Sequence, residues 1–235
     1  NQGEPVLNLN NPLGLDNEVQ AKSIAGIRDL NRMRFGMVGD PEIQSRIASY
    51  ELAFRMQSAA PELMDLSRET PAMLASYGAD REPTARFGRM CLLARRMAER
   101  GVRFIQLYNN DWDGHGDCPG NHRSNSEKID RPIAALIADL KQRGMLDETL
   151  IIWTGEFGRT PFLQGKMDDS KVLGRDHHPY AFSLWMTGAG VKPGLSYGAS
   201  DDFGFNAVEN KVHVHDLQAT ILHLLGIDHE RLTFK

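Results

Sequence analysis

Cysteine is scarce in this sequence: Cys91 and Cys118 are the only two among 235 residues. That excludes a disulfide framework and a four-cysteine zinc site, and leaves open one bridge or two free thiols. Long apolar runs are missing, which excludes a membrane-spanning helix. An excess of basic charge is missing as well. Lys and Arg number 27 against 31 Asp and Glu, a net charge of −4. The chain therefore offers no basic field for nucleic acid and no polybasic patch for a membrane. No Gly-x-Ser-x-Gly elbow and no P-loop occur, and Gly188–Gly194 lacks the dinucleotide fingerprint. What is present is ordinary globular composition, 41% hydrophobic and 25% charged, enough for one large domain or a domain with an appendage.

The first hundred residues read as helical. Residues 1–15, rich in Asn, Pro and Gly, read as an extended arm. Asp16 is placed to cap a helix to about Arg34, with Ile24, Ile27 and Leu30 on one stripe. Asp40-Pro41 combines a capping carboxylate with proline at the first helical position, and that helix is expected to break at Ala60-Pro61. A further helix is expected from Thr84 to Arg100. The pattern then changes. Residues 102–108, 149–154 and 181–186 read as strands, 126–143 and 215–225 as helices, and 109–125 as a polar loop. This order implies an α/β fold with a mainly parallel central sheet flanked by helices. Residues 1–100 form a mainly helical segment packing on the core in this reading, and 101–235 the α/β core.

Histidine carries the chemical signal. All eight lie after residue 114, largely in loops next to the expected strands. Four clusters result: Asp111-Trp112-Asp113-Gly114-His115, the run from Thr154 to Thr160 with Glu156 and Arg159, Arg175-Asp176-His177-His178, and His213-Val214-His215-Asp216. Ligands of open α/β sheets bind at the carboxyl ends of the strands. Imidazole plus carboxylate is the donor set of zinc and its first-row neighbours. Each cluster also has a plain reading. Asp-x-Asp-Gly makes turns, Glu156 can pair with Arg159, and His215 and Asp216 can cap a helix. Adjacent histidines point in different directions, so only one of His177 and His178 is expected to ligate.

Several runs carry a family resemblance: residues 94–104, Trp112-Asp113-Gly114-His115, residues 139–144, Gly155-Glu156-Phe157-Gly158-Arg159-Thr160-Pro161, residues 174–179 and residues 215–226. Together they resemble the bacterial domain-of-unknown-function family numbered 1501, in wording close to its planctomycete members. That family looks like a sulfatase-like branch of the alkaline phosphatase superfamily. The resemblance implies a metal-dependent hydrolase of sulfate or phosphate esters, small-molecule or polysaccharide. It implies Asp113 and His115 as one ligand pair, with Asp111 as a rival for Asp113. Glu156 then stands for the aspartate of Asp-His-Gly, Phe157 replaces its histidine, and His177 or His178 is the later ligand. Arg159 becomes a candidate oxyanion contact. Zinc or manganese is the implied ion, with calcium as an alternative. Members of the family are exported through a twin-arginine leader, to the periplasm or beyond, and are longer than this chain. The chain is accordingly expected to be the C-terminal part of a longer protein, with the nucleophile upstream. The competing expectation is an exported, non-catalytic binding or structural protein on a degraded hydrolase fold.

Overall fold

The structure, a computed structural model, describes residues 14–164 and 174–233. The arm expected at residues 1–15 falls, for 1–13, outside the described residues. The chain divides into two compact units, Asn1–Thr70 and Pro71–Lys235.

In the first unit, α1 (Asn17–Val38) begins where Asp16 accepts a 2.8 Å hydrogen bond from the Val19 amide. It ends at Gly39, whose φ of 71° is the left-handed turn that glycine adopts without strain. Helix α2 (Pro41–Met64) is capped by Asp40, which accepts from the Glu42 amide. It runs through Pro61 instead of breaking there, because the proline sits in the last turn and helical bonding stops soon afterwards. The helices pack on each other, and Arg28 faces Glu51 at 3.8 Å. Of the expected stripe, Ile24 is half-buried while Ile27 and Leu30 stay exposed. A helix pair offers one neighbour per helix, too little to cover a full apolar stripe.

The second unit is built on α4 (Ala85–Glu99) against α5 (Cys118–Gln142), with α3 (Pro71–Ser76) beside them. Leu92, Cys91, Phe87, Ile129, Leu136 and Leu140 form its core. Burial pushes the Cys91 thiol up to about 12, so it is inert. Both cysteines are free. Asp139 of α5 is the polar centre of this packing. Its carboxylate accepts from the Tyr77 hydroxyl at 2.8 Å and from Arg143 Nε at 2.7 Å, and lies 3.3 Å from Arg95 Nε. Glu99 ties Arg95 and Arg143 together, at 2.7 Å from each. Burial, then the neighbouring Asp139 carboxylate, push the Tyr77 hydroxyl upward, so it remains a donor. Helix α5 starts eight residues before the expected Ser126, at Cys118, because Asp117 caps it and Pro119 sits in its first turn. These are the signals that also mark Asp40-Pro41.

The expected parallel central sheet is corrected by the structure. Among the described residues the strands form three two-stranded antiparallel ladders: β1 (Ile151–Trp153) with β4 (Trp185–Thr187), β2 (Gly158–Arg159) with β3 (His177–His178), and β5 (Ala199–Ser200) with β6 (Ala207–Glu209). The fold is mixed α/β in this coarser sense. The segment 102–108 has strand composition but no ladder partner among the described residues, and Phe104 and Tyr108 are exposed. A strand is held by its neighbour's hydrogen bonds, so composition alone leaves it extended and unpaired. The final helix, α6 (Val214–Leu224), starts with a reciprocal cap: His213 Nδ1 accepts from the His215 amide, and Asp216 accepts from the His213 amide. No helix among the described residues is long and apolar enough to cross a membrane.

Replacing Asp139 removes a charge facing the buried Arg95 and leaves Tyr77 without its acceptor. Asp139→Ala is expected to destabilise the protein by about 3–5 kcal/mol in urea unfolding. Tyr77→Phe, which deletes a single hydrogen bond to a charged group, is expected to cost about 1.5–3 kcal/mol. Equal and negligible losses would show that the network does not hold α4 to α5.

Candidate metal centre

The loop ahead of α5 is pinned from several sides. Asp111 has a φ of 74°, and its carbonyl accepts from the Asn121 and Asn125 side-chain amides of α5, at 2.5 and 2.7 Å. Trp112 packs edge-on to Trp153 at 6.2 Å, and Trp153 stacks on Trp185 across the β1–β4 ladder at 6.3 Å. All three tryptophans of the chain thus join this loop to the ladder. The Gly114 carbonyl accepts from the Arg175 amide at 3.0 Å. Gly174 lies so close to the His115 carbonyl that a Cβ there would collide with backbone.

Arg159, on β2, closes the arrangement. Its guanidinium donates to the Arg175 carbonyl, the Trp112 carbonyl and Asp113 Oδ1, at 3.0, 3.0 and 2.8 Å. It is thus engaged as a clamp on Asp113 and two backbone segments. The β2–β3 register places Arg159 opposite His177, which brings that imidazole onto the same carboxylate. Asp113 Oδ1, His115 Nε2 and His177 Nε2 form a near-equilateral triangle: 2.9 Å from Asp113 to His115, 3.0 Å between the imidazoles and 3.1 Å from His177 to Asp113. Phe157 stacks on the His177 ring at 4.1 Å and fixes its plane. Hydrogen bonds from Arg159 first, and from His177, hold the Asp113 carboxyl down at about 2.

The triangle reads as a cation site on its donor chemistry. Gln164 Oε1 lies 2.6 Å from His115 Nδ1. An amide oxygen accepts, so Nδ1 carries a proton and Nε2 is the ring nitrogen that faces Asp113. An N–H aimed at one corner of such a triangle points roughly 60° away from the other corner, so three mutual hydrogen bonds cannot all form. Two imidazole nitrogens and a carboxylate oxygen are a donor set that suits a divalent ion, and Asp113, His115 and His177 are the described residues whose ligand atoms gather in this way.

The remaining expected site residues lie apart from the triangle. Glu156 is exposed and outside the cluster. It comes after the end of β1 and before β2, and the short antiparallel ladder turns Arg159 inward instead. His178 is buried, with Nε2 at 2.7 Å from the Phe205 carbonyl. It is a structural contact to the loop that Asp201 organises by accepting from the Phe203, Phe205 and Asn206 amides. Asp111 serves through its backbone carbonyl. His122 sits on α5 with Nδ1 at 2.9 Å from the Cys118 carbonyl. Gln164 is a residue of the site that no local sequence pattern marks. The asparagine pair four residues apart at the start of α5 was the readable signal for the tether on Asp111.

The model of the family described as "Protein of unknown function (DUF1501)" matches residues 1–235. The chain belongs to the DUF1501 family. No curated protein and no solved structure matches it. The triangle and its Arg159 clamp are features of this DUF1501 chain's own geometry.

Two outcomes test the geometry. In Arg159→Gln the Asp113 carboxyl is expected to rise from about 2 toward the ordinary ~3.9, read by carboxyl-carbon NMR titration. The sign follows from the lowered value: the clamp stabilises the fold above the unfolded-state pKa and loses that contribution as pH falls through about 2. An unmoved titration would mean that Arg159 does not hold the carboxylate. In Gln164→Ala, with the His115 tautomer released, affinity for a divalent metal is expected to fall about 10–100-fold by calorimetry.

Proposed function

We propose that this DUF1501 chain is part of a metal-dependent hydrolase of sulfate or phosphate esters, of the sulfatase-like branch of the alkaline phosphatase superfamily, that works as a longer, exported protein. The observation that supports this most is the convergence of Asp113, His115 and His177, residues 62 and 64 positions apart in the chain, on one point. A divalent ion held by Asp113, His115 and His177 would neutralise an ester oxyanion and lower the pKa of an attacking hydroxyl or water. The chain's own groups have distinct duties. Asp113 supplies the negative charge, and Arg159 fixes its direction. His115 is oriented by Gln164 and His177 by Phe157. The open side of the cluster, where Asp113 is 64% and His177 43% exposed, gives a small-molecule or polysaccharide ester access.

A second reading, an exported binding protein that holds a metal without turnover, draws support from Arg159. Its bonds to Asp113 and two carbonyls tie up the cation that an oxyanion would need. The two separate on the full-length protein. Metal analysis should find a bound divalent ion, and aryl sulfate or aryl phosphate should be turned over. Asp113→Asn and His177→Ala should each lower that turnover at least about 100-fold. Bound metal with neither ester cleaved selects the second reading, and an absence of metal binding sinks both.

A further inference from the structure

We infer that α1 is a dimerisation helix, whose outward face pairs antiparallel with the same face of a second copy of this chain, about a two-fold axis near Gly26. The inference stands apart from the metal reading and holds whether or not the chain binds an ion. Helix α1 has two faces of interest. Ile24, Arg28, Asn31 and Phe35, spaced by three or four residues, are half-buried, and the first three line the seam with Ile47 and Tyr50 of α2. Val19, Leu30, Met33 and Met37 lie on the far side, within roughly 60° of one another at 3.6 residues per turn. They are 43%, 64%, 59% and 80% exposed, a second apolar stripe that no described residue covers. Gly26 sits in the middle of that stripe, and a Cβ added to it would meet nothing within 4 Å. Glycine is a costly residue inside a helix, and the packing of the described chain does not call for one here. A bare backbone at the centre of an apolar stripe lets another helix approach closely.

Charge selects the occupant and its direction. Along one flank of the stripe the order is Glu18, Lys22, Asp29, Arg32. A second copy turned end for end about Gly26 sets its Arg32 opposite Glu18 and its Asp29 opposite Lys22. The two-fold axis makes each of these contacts twice, and Val19 of one copy meets the Leu30–Met33 turn of the other. A parallel copy would instead lay acidic end on acidic end and basic on basic. The general preference for acids at helix N-termini and bases at C-termini accounts for Glu18 and Arg32 only, because Lys22 and Asp29 run in the opposite order. The charges remain accessible. Glu18 and Lys22 pair with each other at 2.6 Å, and Asp29 lies 3.2 Å from Arg28, yet Glu18, Lys22 and Asp29 stay largely exposed. Exposed pairs of this kind hold little energy and can exchange partners. An apolar stripe with self-complementary charges is what a closed two-fold dimer requires.

Sedimentation velocity of the full-length protein across a range of concentrations tests this. A monomer–dimer equilibrium is expected, with dissociation in the ~micromolar range that suits a small interface. Gly26→Glu sets two carboxylates face to face at the axis while meeting nothing in its own chain. It should keep the native circular dichroism and weaken the dimer at least about 100-fold. Glu18→Arg and Arg32→Glu should each weaken the dimer about 10-fold. Combined, they should restore it, because the exchanged charges face each other again. A monomer at every concentration would overturn the proposal. A dimer indifferent to Gly26→Glu would place the interface elsewhere and overturn it as well. A double variant no tighter than the single ones would overturn the antiparallel arrangement.

Discussion

The buried carboxylate of Asp139 is the interaction on which the second unit depends. A carboxylate taken out of water costs several kcal/mol unless its lone pairs are met, and here Tyr77, Arg143 and Arg95 surround it. Meeting them all fixes the rotation and height of α5 on α4 far more narrowly than apolar contact alone would. The other end of the same helix carries Asn121 and Asn125, which hold the Asp111 carbonyl. A helix is stiff, so register set at Asp139 is delivered at Asp111, two residues from Asp113. The helix also reaches α3, where Arg131 donates to the Ala75 and Ser76 carbonyls. Packing energy and site geometry are coupled through one rod.

The site side of this coupling is polar and exposed, so it is held differently. No large burial pins Asp113, His115 or His177. Hydrogen bonds do that work, and most of them end on backbone: Arg159 on two carbonyls, the Arg175 amide on Gly114, the Thr160 amide on Asp176. Backbone acceptors cannot swing away as side chains can, so a few such bonds confine a loop that lacks a core. Gly174 makes this possible by letting one segment press against the His115 carbonyl, where any Cβ would force them apart.

What could be read from the sequence follows the range of the interactions. The helices were legible because their caps are local: Asp16, Asp40 and the buried faces at Ile129, Leu136 and Leu140 all announce themselves within a few residues. Asp117-Cys118-Pro119 carries a signal of the same local kind, and with it α5 takes up the second half of the 109–125 segment. Strand direction was not legible. The segments 149–154 and 181–186 have the composition of buried parallel strands, yet part of each pairs antiparallel, with Trp153 opposite Trp185. In the site, Asp113, His115 and His177 were on the page as residue types in suggestive loops. The choice of His177 over His178 was not. It depends on a two-residue register that turns one imidazole to Asp113 and sends the other to the Phe205 carbonyl. Glu156, between β1 and β2, is exposed and outside that cluster.

Arg159 has two opposed effects on the Asp113 carboxylate. Its nitrogen lies 2.8 Å from the same Asp113 oxygen that faces both imidazoles. A cation so close lowers the charge that the carboxylate can offer a metal, and by itself that weakens metal binding. The opposing effect is orientation. An exposed aspartate on an unsupported loop samples several rotamers, and ordering it on binding costs free energy. With Arg159 in place that ordering is done when the protein folds, and the same contact holds the Asp113 carboxyl down at about 2. The two effects differ in how they respond to the ion. Charge competition is softened by water on the exposed side, where the effective dielectric is high. Preorganisation is not screened at all. At a centre as open as this one, the balance therefore favours the clamp. An arginine that reads at first as a contact for substrate is thereby better explained as the group that keeps Asp113 turned toward His115 and His177.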